Sequence, residues 1–349
     1  MRFIKHNKIT CIYFFIHCII VSLLCSAYLN EFVSPKSFPY FGLAALVFPV
    51  LFILHSLCTF IWMIKKEMVF IPFLLLTILL LFPVKKYIHF GGGKTSQIQD
   101  LKLDNKFKVL TYNIRYANGS KDLRALEDFI IKQDVDIAFF QEIYTRQWRS
   151  KETFLADRYN AVFDLVGISS KYPIINKQKI ILPDNGYACL ADIQKGQNII
   201  RCISIYLEPM FLNKSIFKIK KVDEAKDKTK IVTEKLTVGF KKHEVQIDLL
   251  SKYIKDSPYP VIVCGDFNSV PLSFEYFALK ENLVDVFEIS GRGLGMTFYD
   301  YFYPIRIDYI FTSKDFIPQD SFVNKEAAFS DHYPVSAVLQ LKKINLSSE

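Results

Sequence analysis

Apolar and polar positions are spread unevenly along the 349 residues. Three long apolar runs fill the first 84: ITCIYFFIHCIIVSLLCSAYL (9–29), FGLAALVFPVLFILHSLCTFIWMI (41–64) and MVFIPFLLLTILLLFPV (68–84). Roughly 20 apolar residues cross a bilayer as a helix. The first two runs therefore predict transmembrane helices, and the third a shorter, uncharged one. A cleaved signal peptide is the rival reading of the first run. Two further apolar runs and the lack of a clear small-x-small cleavage site favour an anchor.

From residue 107 the pattern changes. FKVLTYNIR (107–115), DIAFFQEI (136–143), KYPIINKQKI (171–180), RCISIYLEP (201–209), VIVCGDFN (261–268), IRIDYIFTS (305–313) and VSAVLQL (335–341) read as strands. Helical spacing places Leu123, Leu126, Phe129 and Ile130 on one face. The same holds for Val245, Leu249, Leu250, Tyr253 and Ile254. Continuous apolar strands with helices between them predict an α/β (α+β) fold of sheets covered by helices. The expected organisation is a membrane region (1–84), a Gly-rich polar linker (85–104), a folded domain (105–342) and a polar tail (343–349).

Charge adds orientation. Arg2, Lys5 and Lys8 precede the first run, and Lys65 and Lys66 separate the second from the third. The intervening loop carries only Lys36, beside Glu31. Basic flanks stay in the cytoplasm, so three crossings place the large domain outside it; Lys85 and Lys86 pull the other way. The net charge of +9 favours an anionic partner, nucleic acid or a lipid surface. Residues 213–242 hold ten lysines against four acidic residues. They read as a solvated helical insertion or as a basic face toward phosphates.

Other chemistry is excluded by spacing. Cys189, Cys202 and Cys264 show no paired or Cys/His pattern, so neither a disulfide framework nor a zinc site is expected. GGGKTS (91–96) lacks the first glycine of a phosphate-binding loop, with Ile88 in its place, and no strand precedes it.

The strand ends carry the chemistry. LTYNIR offers Asn113, FFQEIY offers Glu142, GDFN offers Asp266 and Asn268, RIDYIF offers Asp308, and FSDHYPV offers Asp331 and His332. One such residue is an ordinary turn or cap. Five such segments imply a shared partner, because buried unpaired carboxylates are costly. A divalent cation with oxygen ligands is the natural one.

At these five segments, over about residues 105–342, the chain resembles the endonuclease/exonuclease/phosphatase superfamily. That is the metal-dependent phosphodiesterase fold of deoxyribonuclease I, the apurinic endonucleases, neutral sphingomyelinases and inositol-polyphosphate phosphatases. GDFN and SDHYPV carry the resemblance most strongly. It implies a four-layered sandwich, two packed β-sheets flanked by helices, here preceded by transmembrane helices. It also implies an integral protein of a bacterial inner membrane, with an exocytoplasmic catalytic domain. By resemblance, Glu142 is the principal Mg²⁺ ligand (Mn²⁺ being a substitute), with Asn113 beside it and Asp331 as a second metal-site carboxylate. Asp308 would orient His332, which would activate water or stabilise the phosphate. Asp266 would position or deprotonate the attacking water, and Asn268 would hydrogen-bond a phosphate oxygen.

The chain departs from the pattern where many members have His followed by Leu: here Tyr206 precedes Leu207. Tyr206 would contact the phosphate, pack in the core, or mark a weakened site. Lys171 is a weaker substrate candidate. His17 and His55 are expected at helix contacts, and His243 and Glu208 in solvent. The reading is a membrane-anchored, Mg²⁺-dependent phosphodiester hydrolase acting on nucleic acid or phospholipid headgroups, with no protein partner inferable. The rival is a non-catalytic binder of phosphorylated ligands on the same fold, motivated by Tyr206.

Overall fold

The computed structural model describes residues 7–90, 105–116, 123–143, 155–212, 222–300, 304–327 and 329–342. Most of the expected linker, the start of the basic insertion and the polar tail lie outside these residues.

Three apolar helices come first: α1 (Lys8–Ser26), α2 (Phe41–Ile64) and α3 (Phe70–Val84). Asn7 caps α1 by accepting from the amide of Ile9. The first two are long and apolar enough to cross a membrane. At 15 residues α3 spans only about 22 Å. The helices pack side by side as antiparallel neighbours, and their few polar groups satisfy one another. His17 Nε2 lies 2.8 Å from His55 Nδ1, Trp62 donates to His17 Nδ1 at 3.1 Å, and Thr77 Oγ1 lies 3.0 Å from His55 Nε2. Their outer faces expose large apolar side chains such as Ile9, Phe15, Leu57 and Leu79.

The remainder is two sheets packed face to face. Its strands are β1 (Ile88–His89), β2 (Lys106–Asn113), β3 (Ile137–Gln141), β4 (Tyr159–Phe163), β5 (Val166–Ser170), β6 (Ile174–Ile180) and β7 (Tyr187–Lys195). They continue as β8 (Asn198–Tyr206), β9 (Val261–Asp266), β10 (Val284–Asp285), β11 (Gly291–Leu294), β12 (Asp308–Thr312), β13 (Phe316–Val323) and β14 (Val335–Leu341). The helices are α4 (Leu123–Lys132), α5 (Val222–Lys255), α6 (Phe274–Lys280) and α7 (Val286–Ser290). One sheet has the order β1-β11-β13-β14-β2-β3-β5-β4, the other β10-β12-β9-β8-β7-β6.

The inner faces share one core, in which Val109, Ile137 and Phe139 meet Ala191, Cys202 and Cys264. The three domain cysteines are free and buried there as small apolar groups. On the outer faces, Leu126 and Ile130 of α4 cover Leu110 and Phe140, while Ile247 and Leu250 of α5 cover Ile203 and Val263. The layers therefore run helix, sheet, sheet, helix, the four-layered sandwich expected.

The apolar helices are joined to this sandwich. Asn30 donates to the carbonyl of Leu272 at 3.0 Å, and Ser34 and the amide of Lys36 donate to Glu244 at 2.7 and 2.8 Å. The segment after α3 also belongs to the fold, although the sequence suggested a tether from residue 85. Lys86 pairs with Glu288, Ile88 aligns with Leu294 of β11, and Tyr87 donates to the carbonyl of Pro271.

Two further expectations fail. His243 is wholly buried, 2.6 Å from Glu275 and 2.7 Å from the carbonyl of Glu208. Glu208 is buried too, accepting from Lys242 and from the amide of Asn185. Lysines surround this stretch of α5, but its inner face packs on the sheet.

Candidate active site

Strand register alone gathers the site. Parallel pairing of β2 and β3 sets Asn113 opposite Gln141, so Glu142 follows at the same sheet edge. In the other sheet Asp266, at the end of β9, lies opposite both Tyr206 of β8 and Asp308 of β12. His332 enters just before β14, and its backbone bridges to Phe298. Residues up to 219 positions apart thus converge where both sheets end.

Local backbone reflects the fit. Gly265 has φ +149°, and a Cβ there would fall 1.9 Å from the carbonyl oxygen of Ile205. Glycine at the turn lets β9 approach β8 and still deliver Asp266. Glu142 (φ 52°), Asn268 (47°) and Arg115 (41°) all occupy the left-handed region. Non-glycine residues adopt it at a cost that the surrounding structure must hold in place.

His332 is sandwiched between carboxylates. Its Nδ1 lies 2.9 Å from Asp308 Oδ2, and its Nε2 lies 3.8 Å from Asp266 Oδ2. The ring of Phe298 packs on it at 4.8 Å. All three polar groups are almost fully buried. Thr297 Oγ1 accepts from the amides of Ile307 and Asp308 and fixes that strand start. Burial opposes a charge on His332, but Asp308 and then Asp266 outweigh it and raise its pKa to about 10. Burial lifts Asp266 to about 7; His332 works against the shift and Asp308 with it.

Asn113 links the two sheets. Its amide nitrogen donates to Glu142 Oε1 at 3.0 Å and to Asp266 Oδ2 at 2.9 Å, while its oxygen accepts from the amide of Arg115. Tyr206 packs its ring in the inter-sheet core, with its hydroxyl under the influence of Glu142. Burial, together with Glu142 and Asp266, holds that phenol protonated far above its usual range. Asn268 closes an Asx turn onto Asp266 and donates to the carbonyl of Leu207.

Two candidates are held in ion pairs, one of them, Asp331, while lining the same cleft as Glu142 and His332. Asp331 Oδ2 is engaged by Arg115 Nη1 at 2.6 Å, so a carboxylate expected at a metal is taken by a guanidinium. Lys171 pairs with Asp134, away from the cluster. Arg115 itself, half-exposed at the rim, escaped sequence reading, because a lone Arg after a strand carries no pattern.

The donor set suits a hard cation. Glu142 and Asp266 face one another across a single amide, and Asp308 Oδ1 is buried without a hydrogen-bond partner. Asp266, Asp308 and His332 offer ligand atoms within 4.8 Å of one another. Carboxylate and amide oxygens of this kind fit Mg²⁺ or Mn²⁺.

Comparison with known proteins agrees with this architecture. The model of the Endonuclease/Exonuclease/phosphatase family matches residues 110–332. A second model, described as a domain of unknown function (DUF8431), matches residues 7–87. No curated protein matches the chain. Among solved structures, the endonuclease/exonuclease/phosphatase from Beutenbergia cavernae is 16% identical, with TM-score 0.51 over 70% of this chain and 73% of its own. A Bacteroides thetaiotaomicron family protein is 19% identical, with TM-score 0.49 over 70% and 98%. A mannosyl-6-phosphatase from the same organism is 20% identical, with TM-score 0.47 over 67% and 99%. The family match spans more than half of the sequence and takes in all five strand-end segments. The chain therefore belongs to the endonuclease/exonuclease/phosphatase family, whose members hydrolyse phosphoester bonds.

Proposed function

We propose that this chain is a membrane-anchored, divalent-metal-dependent phosphodiester hydrolase whose catalytic domain lies outside the cytoplasm. The observation that carries the reading is the convergence of Asn113, Glu142, Asp266, Asp308 and His332 at one end of both sheets. Glu142, with Asn113 beside it, would hold Mg²⁺. The cation would supply charge neutralisation at a phosphate oxygen. Asp331 is not needed there while Arg115 holds it.

The protein groups divide the remaining work. Asp266 is the base, since its raised pKa leaves it matched to a proton near neutral pH. It accepts a proton as the water oxygen bonds to phosphorus. His332 stands between two carboxylates and so carries a proton. Its imidazolium faces the phosphate and stabilises the negative charge that gathers there as the water oxygen bonds to phosphorus and the P–O bond to the leaving group breaks. Asp308 keeps the ring oriented. Tyr206 stands beside Glu142, and Arg115 offers a cation at the rim.

Anchoring is supported by the exposed apolar faces of α1–α3. The 27–40 connection and the segment after α3 both touch the sandwich, whereas Lys65 and Lys66 lie at the opposite ends of the helices. That arrangement agrees with basic flanks in the cytoplasm and the sandwich outside.

The test is full-length protein in detergent micelles with methyl 4-nitrophenyl phosphate, in Mg²⁺ or in EDTA. Nitrophenolate release only with metal supports the reading. Silence in the wild type with turnover in Tyr206→His would make the chain a binder of phosphorylated ligands instead.

A further inference from the structure

The catalytic cluster opens into a cleft of about 480 Å³ and forms one end of it. Glu142, Asp266, Asn268 and His332 line that end. The other end is apolar and is built from two elements distant in sequence: Leu46 and Val47 of α2, and Val232 and Leu236 of α5. Met210, on the strand-end loop after Tyr206, packs with Leu236 and Phe240 at the apolar end.

The close meeting of α2 and α5 is built in. A Cβ on Gly42 would lie 2.5 Å from the ring of Phe240. Any side chain there would push the helices apart, so Gly42 permits the wall to close.

The apolar end also continues outward along α2. Val47, which lines the cleft, is 39% exposed. Val50, Leu54, Leu57 and Ile61 follow at helical spacing and are exposed as well. They form one apolar stripe from the cleft down the helix that we read as crossing the bilayer. Alongside, α5 exposes Ile231 and Val238 among lysines such as Lys230. Apolar side chains among basic ones are the signature of a helix lying at an anionic lipid surface.

We propose that the substrate is a membrane amphiphile bearing a phosphoester at its polar end. Its phosphate sits at the Asp266–His332 cluster and its hydrocarbon chain lies in the cleft between α2 and α5, reached along the exposed face of α2. The inference rests on the hydrolase reading above. A nucleic acid has no part that seeks such a wall, because its backbone is charged and its bases demand stacking partners.

A chain-length series separates the two readings. Full-length protein in mixed micelles would be given 4-nitrophenyl phosphodiesters carrying a methyl, hexyl or dodecyl group. In each, water oxygen bonds to phosphorus, the P–O(aryl) bond breaks, and nitrophenolate leaves. Burial favours each added methylene by roughly fourfold, and only part of the chain need be buried. The dodecyl diester should therefore exceed the methyl diester in kcat/KM by about 10²-fold or more.

Micellar concentration alone would also favour the long probe, so the cleft variants decide. Val47→Trp and Leu236→Trp should each lower the dodecyl-to-methyl ratio by about tenfold or more, the loss of two or so buried methylenes. Val47 is partly exposed, so its variant keeps the fold. A wild-type ratio near one, or a ratio unmoved by both variants, overturns the lipid inference and leaves the hydrolase reading standing. So does nicking of plasmid DNA faster than cleavage of any diester in the series. No turnover of any probe overturns both.

Discussion

His332 concentrates the chemistry of the site in one side chain. It is buried, held by Asp308 and capped by Phe298, so it has one orientation and one charge state. His332→Ala should cut turnover of the methyl diester by at least ~10²-fold, the lower range for losing one preorganised donor that stabilises charge at the phosphate. Steady-state kinetics in saturating Mg²⁺ measure this, and a near-normal kcat would remove His332 from the mechanism. Glu142 predicts differently. Glu142→Gln should leave the protein folded but raise the Mg²⁺ concentration for half-maximal rate by about tenfold or more, as altered metal-site groups commonly do. A metal titration followed by activity reads the shift, and an unchanged midpoint would place the cation elsewhere. These residues were legible in the sequence because each sits at the end of an apolar strand, where a carboxylate or imidazole has no packing role. Arg115 was not, since nothing before folding ties it to Asp331, 216 residues away.

At the scale of elements, strands were legible and connections were not. The expected strands lie within or overlap β2, β3, β6, β8, β9, β12 and β14, because continuous apolar runs leave a buried strand few alternatives. β1 is a two-residue strand whose only signal is its partner, so a tether was the natural reading. The inner face of α5 was hidden by the lysines around it, and with it the buried His243–Glu275 pair. The segment after α3 also carries a charged lock. Burial works against the Glu288 carboxylate, yet Lys86 and Lys280 overcome it and hold its pKa down at about 2. A carboxylate depressed below its unfolded value of about 4.3 stabilises the fold above that value. The contribution drains away as pH falls toward 2. Thermal unfolding in detergent should therefore show a Tm that drops between about pH 4.5 and 2. Glu288→Gln should cost about 1–3 kcal/mol at neutral pH and flatten that part of the profile. An equally steep decline in the variant would assign the acid sensitivity to other groups.

The whole molecule raises the question of sidedness. A reporter enzyme active only in the cytoplasm, fused after Glu349, should be inactive, because in the proposed topology three crossings carry the chain outward. Full reporter activity would reverse the orientation. The layered fold followed from apolar strands alternating with helices. The cleft did not, because it needs α2 and α5 side by side, and no local pattern pairs residues 46–47 with 232–236.

The helices and the sandwich also share a core. Leu24, Phe48 and Leu80 pack in one cluster with Leu272, Phe298, Ile305 and Ile307. Phe298 is the ring that caps His332. Cutting the chain after residue 84 would therefore strip the support from behind the catalytic imidazole, and the excised sandwich is not an equivalent enzyme. The same shared core sets an altitude. If α2 is fixed in the bilayer, the phosphate-binding end is fixed above it, because Phe48 and Phe298 pack in one core. Such an enzyme acts as a gauge: a phosphoester is cleaved only when its headgroup holds it at that height, and scissile bonds carried much higher or lower pass by untouched.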